Sequence, residues 1–403
     1  MNIAIYIARF FPAIGGIVNY VVNLVKKLIK YYINIEIHAD NIIPVNGRKV
    51  AIPRGKMLSN KMITLVPEIV LIPSLHLRLV KATEADIINI HGHAEAYTLT
   101  ILMRLSKLRK PIVLTTHGSL VSSLYRIGKR IDCDYMFRTV ETKLKYKIFN
   151  SVSIKLIDKY IDMIITPSEL EKKGLLMNDI PSYRTIIIKN FIPDRYFEFR
   201  PQEPETILKQ LGLVPFKYII TVARIDRNKS IYQVIKAIAN LHNQGINIKY
   251  VIIGPDEGAL SRCLALARKY DIERSIMFLG SIINKRLILT LERYASAFIL
   301  PSYIETAQPL SILESMSQAT PIIISNTANF IGKAVKHMFN GLVFGYSNIR
   351  SLLYAIRILL EDEALRKKLG ENAFKYAYEH HKLSKAVDKY VEIFKTLYET
   401  YHG

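Results

Sequence analysis

Short apolar runs rich in isoleucine, leucine and valine alternate along the chain with longer charged segments of helical periodicity. In a first series the predicted strands lie at 3–7, 87–90, 112–115, 163–165 and 185–188. In a second series they lie at 218–222, 250–253, 276–279, 297–300 and 321–324. Because strands that alternate with helices form parallel sheets covered by helices on both faces, the pattern predicts an α/β protein with two such sheets.

A polar segment separates the two series. Residues 194–206 include Arg200-Pro201-Gln202-Glu203-Pro204-Glu205, a composition typical of a domain linker. The length of 403 residues also exceeds what one hydrophobic core usually serves. We therefore expect two Rossmann-like, doubly wound domains at 1–198 and 205–380. The cleft between two facing sheets is then the default ligand site, because ligands bind beyond the carboxyl ends of the strands.

Cysteine usage and the lengths of the apolar runs bear on the compartment. Cys133 and Cys263 are far apart and lack metal-type spacing, which argues against a disulfide framework and a zinc site. No apolar run reaches the roughly 18 to 20 residues of a membrane-spanning helix. The first residues carry no basic segment before their apolar run, unlike a signal peptide. These features predict a cytoplasmic protein, with peripheral contact to the inner face of the cell membrane left open.

A formal net charge of +22 implies an anionic partner, such as phosphate ligands, nucleic acid or a membrane surface. No compact nucleic-acid motif is present, and basic and aromatic residues do not interleave on an obvious platform, so nucleic acid is disfavoured. Residues 17–35 have the apolar spacing of an amphipathic helix with Lys26, Lys27 and Lys30 between. That helix is expected to pack on its sheet, and its lysines could also meet anionic lipid. Residues 120–150 are likewise basic.

Glycines and cations follow the first predicted strand of each series. Gly15 and Gly16 precede the 17–35 helix, where a glycine turn and free N–H groups suit a phosphate, although a plain tight turn would look the same. Arg224 and Lys229 follow the strand at 218–222 and suit a diphosphate, or are two more surface cations of a basic chain.

Carboxylates and histidines follow other strands. Glu305 lies after the strand at 297–300, and Glu314 lies in a predicted helix from Leu310 to Met316. Carboxylates accept paired hydrogen bonds from sugar or ribose hydroxyls. His117 ends the strand at 112–115, where it could bond a sugar hydroxyl or a phosphate, and His91-Gly92-His93 ends the preceding strand in the same way. A metal site is less favoured, because no carboxylate or thiolate with ligand spacing joins these histidines.

These features, in this order, resemble the retaining glycosyltransferases of family 4, the group 1 class with the GT-B fold. The resemblance covers nearly the whole chain. Its marks are Gly15-Gly16, Thr116-His117-Gly118, Thr166-Pro167-Ser168-Glu169, Asn190-Phe191-Ile192, Val222-Ala223-Arg224 with Lys229, Ile253-Gly254-Pro255, Phe278-Leu279-Gly280, Pro301-Ser302 with Glu305 and Glu314, and Asn340-Gly341.

The resemblance implies a role for each matching position. The donor nucleotide sugar would be bound by Gly15, Gly16, Arg224, Lys229, Leu310, Ser311 and Glu314, with Glu314 on the ribose. The catalytic set would be His117, Arg224, Lys229 and Glu305, with His117 and Glu305 on the transferred sugar. The last helix, 384–403, would pack back on the first domain. Such enzymes use no bound metal or other cofactor, and the leaving phosphate is proposed to accept the acceptor's proton.

The chain departs from the family pattern at several positions. Residues 306–313, eight in number, separate Glu305 from Glu314, where the family usually has seven. Gln308-Pro309, Ser230 and Phe191 replace residues that are commonly glycine or an aromatic-glycine pair. The leading prediction is a hexosyl or related transferase acting on a lipid-linked or glycan acceptor. The alternatives are a sugar-nucleotide epimerase of the same fold and a non-catalytic homologue that only binds nucleotide sugar.

Overall fold

A computed structural model of the protein describes residues 1–7, 16–40, 42–45, 48–51, 69–74, 85–92, 110–118, 154–305 and 307–403. The chain divides into two compact units. The first comprises Met1–Asn190 and Leu383–Gly403, and the second comprises Phe191–Lys382.

The first unit is built on a seven-stranded sheet with the strand order β5-β2-β1-β6-β7-β8-β9. Neighbouring strands of this sheet run parallel. The strands are β1 (Asn2–Ile7), β2 (Asn34–Asp40), β5 (Ile69–Ser74), β6 (Ile87–His91), β7 (Ile112–Thr115), β8 (Met163–Thr166) and β9 (Thr185–Ile187). Between β2 and β5, an antiparallel hairpin is formed by β3 (Ile42–Val45) and β4 (Arg48–Ala51). Since the order reverses between β1 and β6, that pair marks the topological switch point of the sheet.

Helices of the first unit include α1 (Gly16–Leu28), α2 (Glu169–Leu176) and, at the end of the chain, α11 (Leu383–His402), and residues 154–160 are also helical. The terminal helix α11 lies with the first unit: the hydroxyl of its Tyr390 is 2.9 Å from that of Tyr20 on α1, and both side chains are buried. A 3-10 turn, Ile29–Tyr31, follows α1.

The second unit has a six-stranded parallel sheet with the order β12-β11-β10-β13-β14-β15. Its strands are β10 (Tyr218–Val222), β11 (Lys249–Ile253), β12 (Ile276–Gly280), β13 (Ala297–Leu300), β14 (Ile322–Ser325) and β15 (Gly341–Phe344). Its helices are α3 (Pro204–Gln210), α4 (Tyr232–Asn243), α5 (Leu260–Lys269), α6 (Lys285–Arg293), α7 (Leu310–Ser317), α8 (Asn326–Gly332), α9 (Ile349–Glu361) and α10 (Glu363–His380). Buried aliphatic clusters lie on both sides of this sheet, as a doubly wound sheet requires. The switch point falls between β10 and β13.

The predicted strands all form, but the sequence prediction is wrong in other places. The amphipathic helix predicted at 17–35 ends at Leu28, because Tyr32 adopts a left-handed conformation (φ 58°) and β2 begins at Asn34. No strand was predicted here, although Ile33, Ile35 and Ile37 alternate along the sequence and all three side chains are buried, as a strand would bury them. The strands β5 and β15 were also missed.

The segment 194–206 is not a free linker. Phe197 is 3% exposed and belongs to the core of the second unit, and α3 begins at Pro204. The change of unit therefore falls at Asn190 and not at 198–205. The return crossing falls at Lys382, which forms a parallel bridge with Ile192, and the Ile192 N–H donates to the His381 carbonyl over 2.9 Å. The basic segment 120–150 lies outside the described residues.

Candidate functional site

An ion pair joins the loops that follow the two central strands of the second unit. Lys229 comes after β10 and Glu305 after β13, and the Lys229 Nζ lies 2.5 Å from the Glu305 Oε1. The two side chains are only 15% and 14% exposed. Because β10 and β13 flank the switch point, this pair lies where an open α/β sheet binds its ligand.

The β10 loop is shaped by its own backbone. The Asp226 Oδ1 accepts hydrogen bonds from the N–H groups of Asn228 and Lys229, at 2.8 and 2.9 Å. The Asn228 carbonyl in turn accepts from the Tyr303 N–H over 2.8 Å, which joins the β10 loop to the β13 loop. Ser230 adopts φ 50°, a conformation that glycine takes more readily, so the backbone explains why glycine commonly follows the lysine in this family.

Arg224 points to different partners. Its Nη1 donates to the Glu257 Oε2 over 2.7 Å, and its Nη2 lies 3.5 Å from the Asp226 Oδ2. The guanidinium is 54% exposed, so these pairs are screened and can exchange for another anion. The structure thus places Arg224 and Lys229 on one loop and gives each its own carboxylate partner. Glu257 follows β11 and was missed, although a carboxylate after a central strand could have been identified by the reasoning applied to Glu305.

Close contact between the β10 and β11 loops requires a glycine. Gly254 has φ 150°, and a Cβ at this position would lie 1.9 Å from the Ala223 carbonyl oxygen. The glycine of the Ile253-Gly254-Pro255 mark therefore lets the two loops lie together and brings Glu257 to Arg224.

Glu314 lies on α7, as predicted, and is 6% exposed. Its Oε2 accepts a hydrogen bond from the Lys285 Nζ at 2.8 Å. Burial alone would lower the pKa of Lys285, but the charge of the nearby Glu314 and its hydrogen bond act against burial, and the pKa of Lys285 is raised. Lys285 therefore stays charged and keeps a cation beside the Glu314 carboxylate. The sequence analysis missed this lysine, which is the first residue of α6 after the β12 loop.

Glu292 lies on α6 and is fully buried. Burial, and then the charge of Glu314, raise the pKa of Glu292 well above its usual range, although Lys285 acts in the opposite direction. Burial therefore favours the neutral form of the Glu292 carboxyl, which lies near the Lys285–Glu314 ion pair.

The other predicted donor-binding positions in this unit are Leu310 and Ser311. They are the first residues of α7, whose N-terminal end carries the positive end of the helix dipole. Pro309 precedes them, and no side chain caps this end of the helix. The structure therefore brings Leu310, Ser311 and Glu314 together on one short helix.

His117 of the first unit ends β7 in a left-handed conformation, φ 53°. Its Nε2 lies 2.8 Å from the Nδ1 of His91, at the end of β6, and the Tyr20 ring packs edge-on against it at 4.6 Å. The two histidines that the sequence placed at neighbouring strand ends are therefore in direct contact. Burial, and then the neighbouring His117, lower the pKa of His91 well below its usual range, so His91 is neutral. His93 lies outside the described residues.

A second polar cluster lies next to His117. The buried Glu171 carboxylate accepts hydrogen bonds from the hydroxyls of Thr116 and Thr166, at 2.7 and 2.6 Å. The Ser168 hydroxyl caps α2 by accepting from the Glu171 N–H. The marks at 116–118 and 166–169 thus meet through Glu171, which the sequence analysis did not single out.

The predicted phosphate turn is only partly described. Gly16 is exposed at the first position of α1, and among the described residues a Cβ there would meet no atom within 4 Å. Gly15 lies outside the described residues. Asn340 and Gly341 have a structural role: the Asn340 side chain bonds the backbone of Lys336 and Ala334, and Gly341 lies against the Ile322 carbonyl.

Over the described parts of the chain, no three histidine, cysteine, aspartate or glutamate residues form a group that could hold a metal ion. Within the same residues, no helix combines the length and apolar character needed to cross a bilayer. Cys263 is buried and unpaired, while Cys133 is outside the described residues.

Comparison with known families accounts for both units. Residues 205–376 match the family described as Glycosyl transferases group 1, and residues 14–195 match the family described as Glycosyltransferase Family 4. The chain belongs to the group 1, family 4 glycosyltransferases. The sequence predictions of family and enzyme class are confirmed.

Individual relatives extend the comparison. The alpha-monoglucosyldiacylglycerol synthase of Acholeplasma laidlawii is 26% identical over 340 residues, which cover 80% of each chain. The N,N'-diacetylbacillosaminyl-diphospho-undecaprenol alpha-1,3-N-acetylgalactosaminyltransferase of Campylobacter jejuni is 25% identical over 253 residues, covering 61% of this glycosyltransferase and 63% of that one. The names of both relatives include a lipid, diacylglycerol in the first and undecaprenol in the second.

Solved structures show the same fold. Anabaena Alr3699/HepE, crystallised in complex with UDP, superimposes with a TM-score of 0.77 at 14% identity, covering 98% of this chain and 100% of that one. The sucrose-phosphate synthase of Thermosynechococcus elongatus superimposes with a TM-score of 0.73 at 18% identity, covering 99% of each. The predicted GT-B class of α/β fold is confirmed.

Proposed function

We propose that this glycosyltransferase moves a sugar, with retention of anomeric configuration, from a nucleoside-diphosphate donor to a lipid-linked acceptor. The observation that carries the proposal is the Lys229–Glu305 ion pair at the switch point of the second sheet, with Arg224 on the same loop. Two cations after one central strand suit the two phosphates of such a donor.

The second unit contains a group for each part of the donor. Arg224 and Lys229 would bind the diphosphate, with the N-terminal end of α7 at Leu310 and Ser311 as further donors. Glu314, held by Lys285, would accept hydrogen bonds from the ribose hydroxyls. HepE, a structural neighbour, was crystallised in complex with UDP, which supports a nucleotide as the ligand.

The chemistry proposed is a front-side displacement. As the bond between the anomeric carbon and the phosphate oxygen breaks, Arg224 and Lys229 stabilise the negative charge that develops on the diphosphate. The leaving phosphate accepts the proton of the acceptor hydroxyl, whose oxygen bonds the anomeric carbon on the same face. Because Arg224 and Lys229 already stabilise the negative charge of the leaving diphosphate, we propose that the reaction needs no bound metal and no other cofactor. Glu305 and His117 would contact the transferred sugar.

The lipid-linked acceptor is inferred from the relatives and from the charge of this chain. Two relatives carry names that include diacylglycerol or diphospho-undecaprenol. In the first unit, Lys30 and Tyr32 are exposed just after α1, and Tyr32 is 95% exposed. Cations beside an exposed aromatic ring suit the interface of an anionic membrane. We propose that this end of α1 approaches the cytoplasmic face of the membrane, where the acceptor lies.

The proposal is tested by transfer from radiolabelled uridine, guanosine and adenosine diphosphate sugars. The acceptors are vesicles that contain diacylglycerol or a polyprenyl-phosphate-linked sugar, with magnesium and with a chelator. Labelled lipid whose anomeric configuration matches that of the donor, formed equally with chelator, is the expected result. Donor binding without labelled product would favour a non-catalytic homologue. A changed sugar without any acceptor would favour an epimerase.

Membrane approach is tested separately by flotation with anionic and neutral vesicles. We expect binding to anionic vesicles only, and weaker binding by a Lys30→Gln, Tyr32→Ser variant. Lys236→Gln, a lysine substitution in the second unit, is the control. Equal flotation of the double variant and the unaltered protein would contradict the proposed surface.

A further inference from the structure

A chain of hydrogen bonds connects His117 to the C-terminal helix. The hydroxyls of Tyr20 and Tyr390 are 2.9 Å apart, and the Tyr390 hydroxyl is 3.2 Å from the Thr115 Oγ1. The Thr115 hydroxyl donates to the Asn89 Oδ1 over 3.1 Å. The Asn89 Nδ2 lies 3.2 Å from the His91 Nε2, and the His91 Nδ1 lies 2.8 Å from the His117 Nε2.

The direction of this chain is set by Asn89. An amide nitrogen donates and does not accept, so the Nε2 of His91 must accept. A neutral imidazole carries one proton, and that of His91 is therefore on Nδ1, which donates to the Nε2 of His117. Since the Nε2 of His117 accepts, a neutral His117 carries its own proton on Nδ1.

The orientation of the Asn89 amide also fixes the direction at the other end of these hydrogen bonds. Thr115 has one hydroxyl proton, which goes to Asn89, so the Tyr390 hydroxyl must donate to Thr115 and the Tyr20 hydroxyl to Tyr390. Both tyrosines are buried, and burial raises the pKa of Tyr390 to about 12, so its proton remains in place. Apart from His117 at the end, the residues that form these hydrogen bonds are all buried, so water does not compete for the bonds.

We propose that Asn89 and His91 are positioning residues that hold His117 in the neutral tautomer protonated at Nδ1. In this tautomer the Nδ1 of His117 acts as a hydrogen-bond donor, while its Nε2 is occupied by His91 and does not act as a base. This inference rests on the proposed function only where it assigns His117 to a substrate oxygen. The tautomer itself is a property of the protein without substrate.

Nitrogen NMR of the full-length protein labelled with 15N-histidine tests the tautomer directly. Long-range proton–nitrogen correlations distinguish a protonated ring nitrogen from an unprotonated one, and the signals of His117 are identified by their loss in His117→Gln. We expect a protonated Nδ1 and an unprotonated Nε2 for His117, and the same for His91. A His117 protonated at Nε2 would reverse every bond of the chain and overturn the proposal.

Variants locate the residue that sets the direction. In Asn89→Leu, which has a similar shape but no donor, His117 is expected to become a mixture of both tautomers. In Tyr390→Phe, which leaves the bonds of Asn89 intact, His117 is expected to keep its proton on Nδ1. If Asn89→Leu does not fold, Thr115→Val removes the bond that orients the Asn89 amide and is expected to give the same mixture. A folded variant of either kind with His117 still wholly protonated at Nδ1 would contradict the role of Asn89.

Kinetics separate this inference from the proposed function. Once a donor is known, Asn89→Leu is expected to lower kcat about tenfold, the value of one lost hydrogen bond, with donor KM unchanged. A correct tautomer in a protein that transfers no sugar would leave the hydrogen-bond chain established and refute the proposed function. Sugar transfer by a protein whose His117 is protonated at Nε2 would support the proposed function and refute the proposed tautomer.

Discussion

The two units organise their polar groups in opposite ways. Around His117, the first unit uses buried and largely neutral side chains, each bonded to the next, and His91 is held neutral by burial. After β10 and β13, the second unit uses formal charges on loops: Arg224 is more than half exposed, whereas the Lys229–Glu305 pair is mostly buried. A buried network loses much when one member is removed, because its neighbours are left without partners. The exposed ion pairs of Arg224 contribute little to stability and exchange readily for a charged ligand. The first arrangement therefore suits orientation of a group, and the second suits binding of an anion.

The largest expected effect is on stability and comes from removing a buried polar group of the first unit. Glu171→Leu would leave the hydroxyls of Thr116 and Thr166 without their acceptor, and we expect a loss of about 3 to 5 kcal/mol in the free energy of unfolding. Urea unfolding followed by circular dichroism measures it. Glu169→Leu, two residues away on the exposed side of the same helix, is the matched control and should change stability by less than about 1 kcal/mol. Equal effects from the two substitutions would contradict the account of the buried cluster.

The next effect concerns ligand binding by the second unit. Glu314→Gln removes a charged acceptor for ribose hydroxyls, and we expect nucleoside diphosphate affinity to fall roughly 10- to 100-fold by calorimetry, the range of one charged hydrogen bond. Affinity for inorganic pyrophosphate, which has no ribose, should stay the same. A parallel loss for pyrophosphate would show that Glu314 acts on the phosphates or on the fold.

A smaller, pH-dependent effect is expected at Glu292, which is the buried exception within the charged unit. Its raised pKa means that the folded state binds a proton that the unfolded chain releases as the pH rises above about 4.5. This group therefore stabilises the fold least at high pH. Glu292→Gln, which is always neutral, should be more stable relative to the unaltered protein at pH 8 than at pH 4.5. A stability difference that does not grow with pH would contradict a neutral Glu292.

Glu257 should give the smallest effect. Glu257→Gln removes the carboxylate that pairs with Arg224 at 2.7 Å, so a diphosphate no longer competes with it. We expect nucleoside diphosphate affinity to rise about threefold, in keeping with the weakness of exposed ion pairs, while thermal stability stays the same. Glu361→Gln, which disturbs an exposed pair with Arg357 on α9, is the control. Weaker binding by Glu257→Gln would indicate that this carboxylate contacts the ligand.

The sequence predicted those parts of the fold and site that depend on local pattern. Strands buried on both faces are recognisable as apolar runs. The rule that ligands bind beyond strand ends selected Arg224, Lys229, Glu305 and His117 as candidates, and the structure places all four after strands. The sequence pattern did not reveal β2. The apolar spacing of α1 continues past Leu28, whereas the left-handed conformation of Tyr32 prevents the helix from continuing. The sequence could not predict the contact of Tyr390 with Tyr20, because these residues are 370 positions apart and only the packing of α11 brings them together.

The raised pKa of Glu292 was also beyond the sequence. Glu292 and Glu314 are the same residue type on neighbouring helices, and only the fold shows that Glu292 is fully enclosed while Glu314 pairs with Lys285. The sequence did single out Gly254 as part of the family pattern. The structure supplies the reason for a glycine, because the Ala223 carbonyl leaves no room for a Cβ at this position.

Donor binding tests the central claim, that the loops after β10 and β13 bind a nucleoside diphosphate sugar. Calorimetry with uridine, guanosine and adenosine diphosphate sugars would compare the unaltered protein with Arg224→Ala and with Arg357→Ala, whose arginine is also exposed and paired. We predict binding of one nucleotide class without added metal, a loss of roughly 10- to 100-fold in Arg224→Ala, and no change in Arg357→Ala. Binding that is indifferent to Arg224, or no binding by folded protein, would contradict the account.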